Sequence, residues 1–420
     1  MIVKTNDANS CVGKISRREF LKLTSLTTAG LLVGHGSSQG AESTLALING
    51  TLIDGTGAKA VPEGAIVIIG NRIIASGSRT QVQIPTNAQM IDVQGGTILP
   101  GFINAHVHGA YYYYAETLLK AWARGGVTTV RDLGDIQPYS PYSKQLFKTR
   151  DRLNAIPKCA RLVAAGKFVN VKGGYPIAYW GGNAITITSP KEARKAVNML
   201  IDDGADVIKS AMESGLTFGQ SGWPLLSPRE ASALVEAAHD RDKLVTMHVT
   251  NALDLERALD AGVDEIAHMV VGNQFLSEKL ITRMVSEGNR WIPTLELWQG
   301  ASRNYSHLNY GKSAINNLSR FVKAGGEVAL GTDYAGAPNI DFDLGMPINE
   351  IKYMSEAGMT PMQIIVAATR NSARSCDRES DLGTLEPGKL ADVLVVNGNP
   401  LDDINTLTNI SIVLRGGKVV

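Results

Sequence analysis

Short apolar segments alternate with helical sequence between residues 102 and 333, and this alternation is the feature that most constrains the fold. Strands that alternate with helices form a parallel sheet, and eight such units are the number in a (β/α)8 barrel. The strand-like segments number eight: FINAHVH (102–108), VTTVRD (127–132), RLVAAG (161–166), ADVIKS (205–210), LVTMH (244–248), DEIAH (264–268), WIPTL (291–295) and EVALGTD (327–333). A doubly wound open sheet is the alternative, but no GxGxxG turn follows any segment.

Both ends of the chain are rich in strand-like sequence outside this region. TLALINGTLIDGTG, AIVIIGNRIIASG and AQMIDVQGG lie near the start, and ADVLVVNGNP and ISIVLRGGKVV lie at the end. One small β-sandwich domain built from both ends is the simplest packing. The predicted fold class is therefore α/β, a TIM barrel plus a β-sandwich. The predicted domains are a signal peptide (1–41), the two parts of the β-sandwich (42–100 and 381–420) and the barrel (101–380).

The first 41 residues have the pattern of an export signal. Arg17 and Arg18 precede a moderately apolar stretch from Leu23 to Gly34, and small residues follow up to Ala41. With the arginine pair, this pattern resembles a bacterial twin-arginine signal. The alternative is an ordinary amphipathic helix. We expect a periplasmic or secreted protein that the twin-arginine export machinery carries across the membrane.

The composition argues against a nucleic-acid partner and against a membrane-spanning segment, and it leaves one disulfide open. The 420 residues include 41 basic and 40 acidic side chains, which argues against a nucleic-acid partner, because phosphate binding needs a clustered basic surface. No segment after the signal has the roughly 18 consecutive apolar residues of a membrane-spanning helix, so no membrane span is expected in the mature form. Cys159 and Cys376 form no metal-type spacing and leave one disulfide open.

Potential metal ligands end several of the predicted strands. The active site of a barrel forms at the carboxyl ends of its strands, and alternate residues share a face. The residues at these ends are His106 and His108, Lys209, His248, His268 and Asp333. Four imidazoles and a carboxylate are a ligand set for Zn²⁺ or a similar cation. The alternatives are core histidines and an Asp333 that caps its loop.

Lys209 does not suit a site of this kind as an ammonium, because dications would repel it. Reaction with CO₂ would convert it to an anionic carbamate with two oxygens, which could bridge two ions. A structural ion pair is the alternative role for this lysine.

Several motifs, in this order along the chain, carry a family resemblance. They are ILPGFINAHVH, GGVTTVRDLG, GADVIKS, the strand-end His248, AGVDEIAH, LGTD and GTLEPGKLADVLVVNGNPLDDI. The sequence resembles the amidohydrolase superfamily, and within it the imidazolonepropionase-like group that includes Xaa-Pro dipeptidases. The resemblance implies two divalent ions, with zinc expected. His106 and His108 would bind one ion, His248 and His268 the other, and carboxylated Lys209 would bridge them. Asp333 would ligate the first ion and pass a proton from the bridging hydroxide to the leaving nitrogen.

Departures from the relatives concern substrate recognition. Thr250 stands where several relatives have a second histidine after the fifth strand, and Tyr175 replaces the histidine of a GGH motif. Aromatic residues near the predicted mouth are candidate substrate contacts, with packing against the barrel rim as the alternative: Tyr111, Tyr114, Tyr175, Tyr179 and Trp180. Arg131 is interpreted as an ion-pair partner of nearby carboxylates rather than a substrate clamp.

These features predict a metal-dependent hydrolase that cleaves amide C–N bonds in short peptides or N-acyl amino acids. A cyclic amidase of the imidazolonepropionase type is one alternative, although such enzymes usually work with one metal. Hydrolysis of a xenobiotic amide, carbamate or ester is another. A metal-binding protein without catalysis is the third, and the intact Asp333 argues against it. A homo-oligomer is left open.

Overall fold

The computed structural model describes residues 43–420 except for positions 111, 136–141, 273–275, 305–308 and 337–338. The predicted signal peptide and Tyr111 lie outside the described residues, so their predicted roles stay predictions. No helix in the described part of the chain is long and apolar enough to cross a membrane.

The strands and helices follow one another in the predicted alternation. The strands are β1 Thr44–Leu52, β2 Val61–Ile69, β3 Arg72–Ser78, β4 Gln89–Asp92, β5 Thr97–Pro100, β6 Phe102–Val107, β7 Val127–Asp132, β8 Arg161–Ala164, β9 Val169–Val171, β10 Ile185–Ile187, β11 Ile208–Ala211, β12 Val245–His248, β13 Glu265–Ala267, β14 Arg290–Ile292, β15 Glu327–Val328, β16 Val393–Val396, β17 Ile410–Arg415 and β18 Lys418–Val419. The α-helices are α1 Ala115–Arg124, α2 Gln145–Asn154, α3 Ile177–Trp180, α4 Pro190–Asp203, α5 Pro228–His239, α6 Ala252–Asp260, α7 Glu278–Glu287, α8 Leu295–Asn304, α9 Tyr310–Lys323, α10 Ile348–Glu356, α11 Pro361–Val366 and α12 Ser372–Ser375.

One sheet combines strands from both ends of the described chain, as the sequence predicts. Its order is β18-β17-β16-β5-β1-β2-β3, with β4 paired to β1. The pairing of β5 with β16 joins the two ends directly, through Pro100 opposite Val393 and Thr97 opposite Val396. Buried side chains line both faces of this sheet, because successive residues of a strand point to opposite sides. The exact domain boundaries stay predictions.

Eight parallel strands form the barrel, in two ladders of β6-β7-β8 and β11 to β15. Backbone hydrogen bonds connect the ladders at both junctions. The amide of Asp206 donates to the carbonyl of Ala164 at 3.0 Å, and the amide of Ala105 donates to that of Leu330 at 2.8 Å. Each strand overlaps one of the predicted segments. The sixth strand ends at Ala267, because His268 adopts a positive φ angle of 73° that turns the chain out of the strand. The eighth ends at Val328, five residues before Asp333.

Two Ser-Pro pairs begin helices of the barrel. Ser189 accepts a hydrogen bond from the amide of Glu192 at the start of α4. Ser227 and Glu230 form a reciprocal capping box at the start of α5. Each cap satisfies an otherwise unpaired helical amide and contributes about 1 kcal/mol. These helices turn alanine, valine and leucine side chains toward the barrel.

A buried ion pair lies inside the barrel, and it confirms the structural role predicted for Arg131. Arg131 on β7 and Glu265 on β13 are both fully buried, and their Nη1 and Oε2 atoms lie 2.7 Å apart. Arg131 also donates through Nε to the carbonyl of Ala105 at 2.8 Å. Glu265 accepts from Thr246 Oγ1 at 2.7 Å and from Arg290 Nε at 3.1 Å. The pair therefore joins β6, β7, β12, β13 and β14 from within.

The two cysteines in the described residues, Cys159 and Cys376, are buried free thiols. The disulfide that the sequence left open is therefore not formed between them. Burial raises the pKa of Cys376 to about 12, which keeps this thiol protonated and unreactive.

Replacing Arg131 by methionine is expected to lower the free energy of unfolding by about 3–5 kcal/mol, because it leaves the Glu265 carboxylate buried without its closest counter-ion. Urea unfolding of the metal-free protein, followed by fluorescence, measures this loss. Arg290→Met is the matched control: Arg290 pairs with the same carboxylate, but its side chain is 14% exposed. A loss for Arg131→Met no larger than that of the control would contradict the central role of the ion pair.

Candidate metal centre

The strand-end histidines converge on Asp333. The Nε2 atoms of His106 and His108 each lie 3.1 Å from Asp333 Oδ1. The ring of His268 is 4.9 Å from that of His106 and 4.4 Å from that of His248, measured between centroids. Potential ligand atoms of His106, His268 and Asp333 all lie within 4.8 Å of one another. The structure thus brings these five sequence-predicted residues together at the carboxyl ends of the strands.

Unusual backbone angles place three side chains at this mouth. His268, Asp333 and Thr294 have φ angles of 73°, 63° and 49°, in the left-handed region that L-residues seldom adopt. The turn after Asp333 closes when the amide of Gly336 donates to its carbonyl at 2.8 Å. A Cβ atom on Gly336 would stand 2.3 Å from Asp333 Cγ, so only glycine leaves room for the carboxylate.

Outer hydrogen bonds orient two of the imidazoles. Nδ1 of His108 donates to the carbonyl of Gly134 at 2.7 Å, and Nδ1 of His268 is 3.0 Å from Thr294 Oγ1. Both contacts leave Nε2 available for a metal, an arrangement common around histidine ligands. Asp132 at the end of β7 supports the first contact, because its carboxylate accepts from the amide of Gly134 at 2.9 Å. Neither Thr294 nor Asp132 is among the residues predicted from the sequence, although Asp132 ends a predicted strand.

Burial and neighbouring charges together determine the protonation of these side chains. It lowers the pKa of His106 and of His268 well below the ordinary value, so both imidazoles are neutral near pH 7 and able to coordinate a metal. Burial opposes ionisation of Asp333, but the neighbouring His106 and His108 outweigh it and hold the pKa of this carboxyl well below its usual range.

Lys209 lies fully buried on β11, with Nζ 5.5 Å from the centre of the Phe168 ring. Nζ has no hydrogen-bond partner in the described part of the chain. Burial lowers the pKa of this lysine to about 7. A substantial fraction is then the neutral amine near pH 7, and the neutral amine is the form that reacts with CO₂.

The donor atoms fit a bound cation. Within the described ranges, buried polar atoms without a hydrogen-bond partner cluster at the site: both ring nitrogens of His106 and of His248, Nζ of Lys209 and Oδ1 of Asp333. Leaving a buried polar atom unsatisfied costs about 1–3 kcal/mol, so such a concentration in one place is unfavourable unless a ligand binds there. Imidazole nitrogens and a carboxylate oxygen are donors that Zn²⁺ accepts.

A carboxylate that the sequence reasoning missed faces the fifth-strand histidine. Glu213 follows β11, is 1% exposed, and places Oε2 3.6 Å from Nε2 of His248. The hydroxyl of Thr250 donates to the same carboxylate oxygen. Thr250, at the position of the second histidine of several relatives, thus supports Glu213, and Glu213 faces the ring nitrogen of His248. This arrangement leaves Nδ1 of His248 for a metal.

The predicted substrate contacts lie in different places. Tyr175 reaches the centre, since its ring stacks on His248 with centroids 3.8 Å apart. Tyr179 is 45% exposed and packs against Phe218, with ring centroids 4.3 Å apart. Tyr114 is 68% exposed and packs edge-on against a neighbouring tyrosine. Trp180 ends α3, and its side chain lies outside the described part of the structure. The structure places Tyr175 beside the centre, but substrate binding by any of these aromatic residues stays a prediction.

The model of the amidohydrolase family matches residues 97–420, most of the chain. The chain belongs to the amidohydrolase family. This membership confirms the predicted resemblance to the amidohydrolase superfamily.

The chain is similar in sequence to proteins with different names. Ochratoxinase of Aspergillus niger is 29% identical over 259 residues, which cover 57% of this chain and 52% of that protein. The matched part is therefore about half the length of that relative. Imidazolonepropionase of Alkaliphilus metalliredigens is 25% identical over 417 residues, covering 86% of this chain and 90% of that protein.

Solved amidohydrolase structures share the fold. A Xaa-Pro dipeptidase crystallised with methionine in its active site superposes with a TM-score of 0.76 at 27% identity, over 90% of this chain and 100% of that one. Such agreement confirms the predicted fold class, a TIM barrel with a β-sandwich.

Glu213→Gln is expected to weaken divalent-metal binding by about 10–100-fold, because the amide cannot support His248 as the carboxylate does. Competition with a chromophoric chelator measures the affinity, and the visible spectrum of the Co²⁺-loaded protein reports the ligand geometry. Glu230→Gln is the control, because Glu230 caps α5 away from the centre. Unchanged affinity and spectrum in Glu213→Gln would exclude a positioning role.

Proposed function

We propose that this protein is a metal-dependent hydrolase that cleaves the C–N bond of amides. The observation that carries the proposal is the convergence of four buried strand-end histidines on one ionised carboxylate, Asp333, beside the buried Lys209. The comparisons support the reaction class, because the chain is similar to an ochratoxinase, an imidazolonepropionase and a Xaa-Pro dipeptidase.

Two divalent ions, with zinc as the expected metal, would be held by the strand-end residues. His106, His108 and Asp333 would bind one ion, His248 and His268 would bind the other, and a carbamate on Lys209 would join them. Bound there, the ions supply a polarised substrate carbonyl and a water of lowered pKa.

The chain's own residues would position the substrate and move a proton. Asp333 is ionised, lies within the ring of imidazoles and is 5% exposed, so its carboxylate can accept a proton and return it to a leaving nitrogen. The phenol of Tyr175 is neutral, since burial raises its pKa well above the ordinary value. Stacked on His248, this ring forms an apolar wall beside the reacting centre.

We propose short peptides or N-acyl amino acids as the substrate class. A cyclic amide is the second candidate, because the imidazolonepropionase match covers most of both chains. Lys209 favours the first, since a bridging carbamate suits two ions and cyclic amidases of that type usually work with one. Xenobiotic amides, carbamates and esters form a third class that the same chemistry would serve.

We also propose export by the twin-arginine machinery, which would place the enzyme in the periplasm or outside the cell. This proposal rests on Arg17, Arg18 and the apolar stretch that follows them. That machinery carries folded proteins, which suits an enzyme that acquires its metal before export.

A panel of dipeptides, N-acyl amino acids and cyclic amides tests the reaction and the substrate class together. We expect the zinc-loaded enzyme to hydrolyse members of the first two groups, and Asp333→Asn to lower kcat by about 10²–10⁴-fold because the proton acceptor is lost. Asp343→Asn is the control, since Asp343 lies in the loop that precedes α10. Full activity in Asp333→Asn would rule out the assigned proton transfer, and turnover of cyclic amides alone would favour the second candidate.

Carboxylation of Lys209 is tested with labelled bicarbonate. The reaction joins the neutral amine to CO₂ and releases one proton, and the amine becomes the major form as the pH rises above about 7, the pKa of this lysine. Enzyme reconstituted at pH 8 with Zn²⁺ and ¹³C-bicarbonate should show a carbamate carbon by NMR and bind about two ions per chain. Lys209→Arg should show neither the signal nor the second ion. One ion and no labelled carbon in the parent protein would exclude the two-metal centre.

A further inference from the structure

A second candidate site lies away from the metal centre, at the amino-terminal end of barrel strand β8. A cavity of about 400 Å³ opens there between the barrel and the β domain. Its lining includes Arg161 at the start of β8, Arg378, Arg415 at the end of β17, and Lys418 at the start of β18. These four cationic residues come from three distant parts of the sequence and meet only in the folded protein.

The carboxylates near this cavity do not balance its positive charge. Arg161 pairs with Asp392 at 2.7 Å. Arg378 must share Asp381 with Arg72, at distances of 3.1 Å and 3.2 Å. For Arg415 and Lys418, no ion pair is found among the described residues. The cavity therefore retains excess positive charge although the chain as a whole is nearly neutral.

Arg415 carries the strongest part of this excess. It is only 9% exposed, and its guanidinium donates to two backbone carbonyls, those of Ile156 at 3.2 Å and Asn154 at 2.9 Å. Burial and then the like charge of Arg161 lower the pKa of Arg415, and the opposing charge of Asp392 does not offset them. Burying a cation beside another cation is unfavourable unless an anion compensates them.

We propose that this cavity binds a small oxyanion of high charge, namely phosphate or a phosphate monoester. Guanidinium groups match the geometry of phosphate oxygens and donate to them in pairs, and the ammonium of Lys418 adds a mobile point charge at the entrance. The cavity is larger than one phosphate, so it leaves space for an attached organic group. The site lies at the opposite ends of the strands from the histidines and does not depend on the proposed hydrolase function.

Titration of the metal-loaded full-length protein with inorganic phosphate tests this site. Calorimetry at constant ionic strength should show saturable binding of one phosphate at the cavity per chain. Lys418→Glu is expected to weaken that binding about tenfold or more, because it replaces an attractive charge with a repulsive one. Lys191→Glu, an equal charge change on the exposed start of α4, should leave it unchanged. Both positions are exposed, and circular dichroism verifies that both variants fold.

Arg378→Gln is an independent test at the other side of the cavity. This variant should also bind inorganic phosphate more weakly. A phosphate monoester in place of inorganic phosphate then shows whether the free anion or an esterified one binds more tightly. No saturable binding would overturn the proposal. The proposal would also be overturned if Lys418→Glu and Arg378→Gln bound phosphate as tightly as the parent protein. The phosphate would then bind elsewhere, such as at the metal ions. Equal weakening in Lys418→Glu and Lys191→Glu would indicate only a general effect of charge.

Discussion

The buried ion pair between Arg131 and Glu265 is the interaction on which the rest of the barrel depends. It joins five strands from inside, where neither charge reaches water. The energetic cost of burying two charges is offset only while both partners keep their hydrogen bonds, so the pair favours one arrangement of the strands. The same charges act on Lys209, with Arg131 lowering its pKa and Glu265 raising it. The interaction that stabilises the barrel thus also contributes to the electrostatic environment of the centre.

The centre above this pair is held by groups outside the ligand set. Gly134 and Thr294 each occupy one ring nitrogen of a histidine, and Glu213 faces a third ring. These contacts leave the other ring nitrogen of each histidine available for a metal. Left-handed backbone angles at the strand ends supply the remaining constraint, because they turn side chains into the mouth at the cost of local strain. The geometry of the site therefore depends on residues that contact the histidines and are not themselves predicted metal ligands.

Two differences between this chain and several relatives, Thr250 and Tyr175, concern the surroundings of His248. Thr250 does not leave a gap where other members have a histidine, because its hydroxyl supports Glu213. Tyr175 places an aromatic ring against His248 where a histidine is common. Both substitutions make the surroundings of the fifth-strand ligand different from those in such relatives. We propose that these substitutions alter substrate recognition, because neither replaces a predicted metal ligand.

The sequence by itself determined the alternation of strands and helices, the sheet made from both ends, and the six strand-end residues. The strand positions are local properties, because hydrophobic periodicity locates a strand. The sheet from both ends followed from the simplest packing of those strands, and the candidate ligands followed from the rule that the carboxyl ends of barrel strands meet at one mouth. Only the tertiary structure decided that Arg131 pairs with Glu265, 134 positions away, that Glu213 faces His248, and that Arg161 meets Arg415 in one cavity. Such contacts depend on how distant elements pack, and on burial that makes an unpaired charge costly, and neither is visible in a linear pattern.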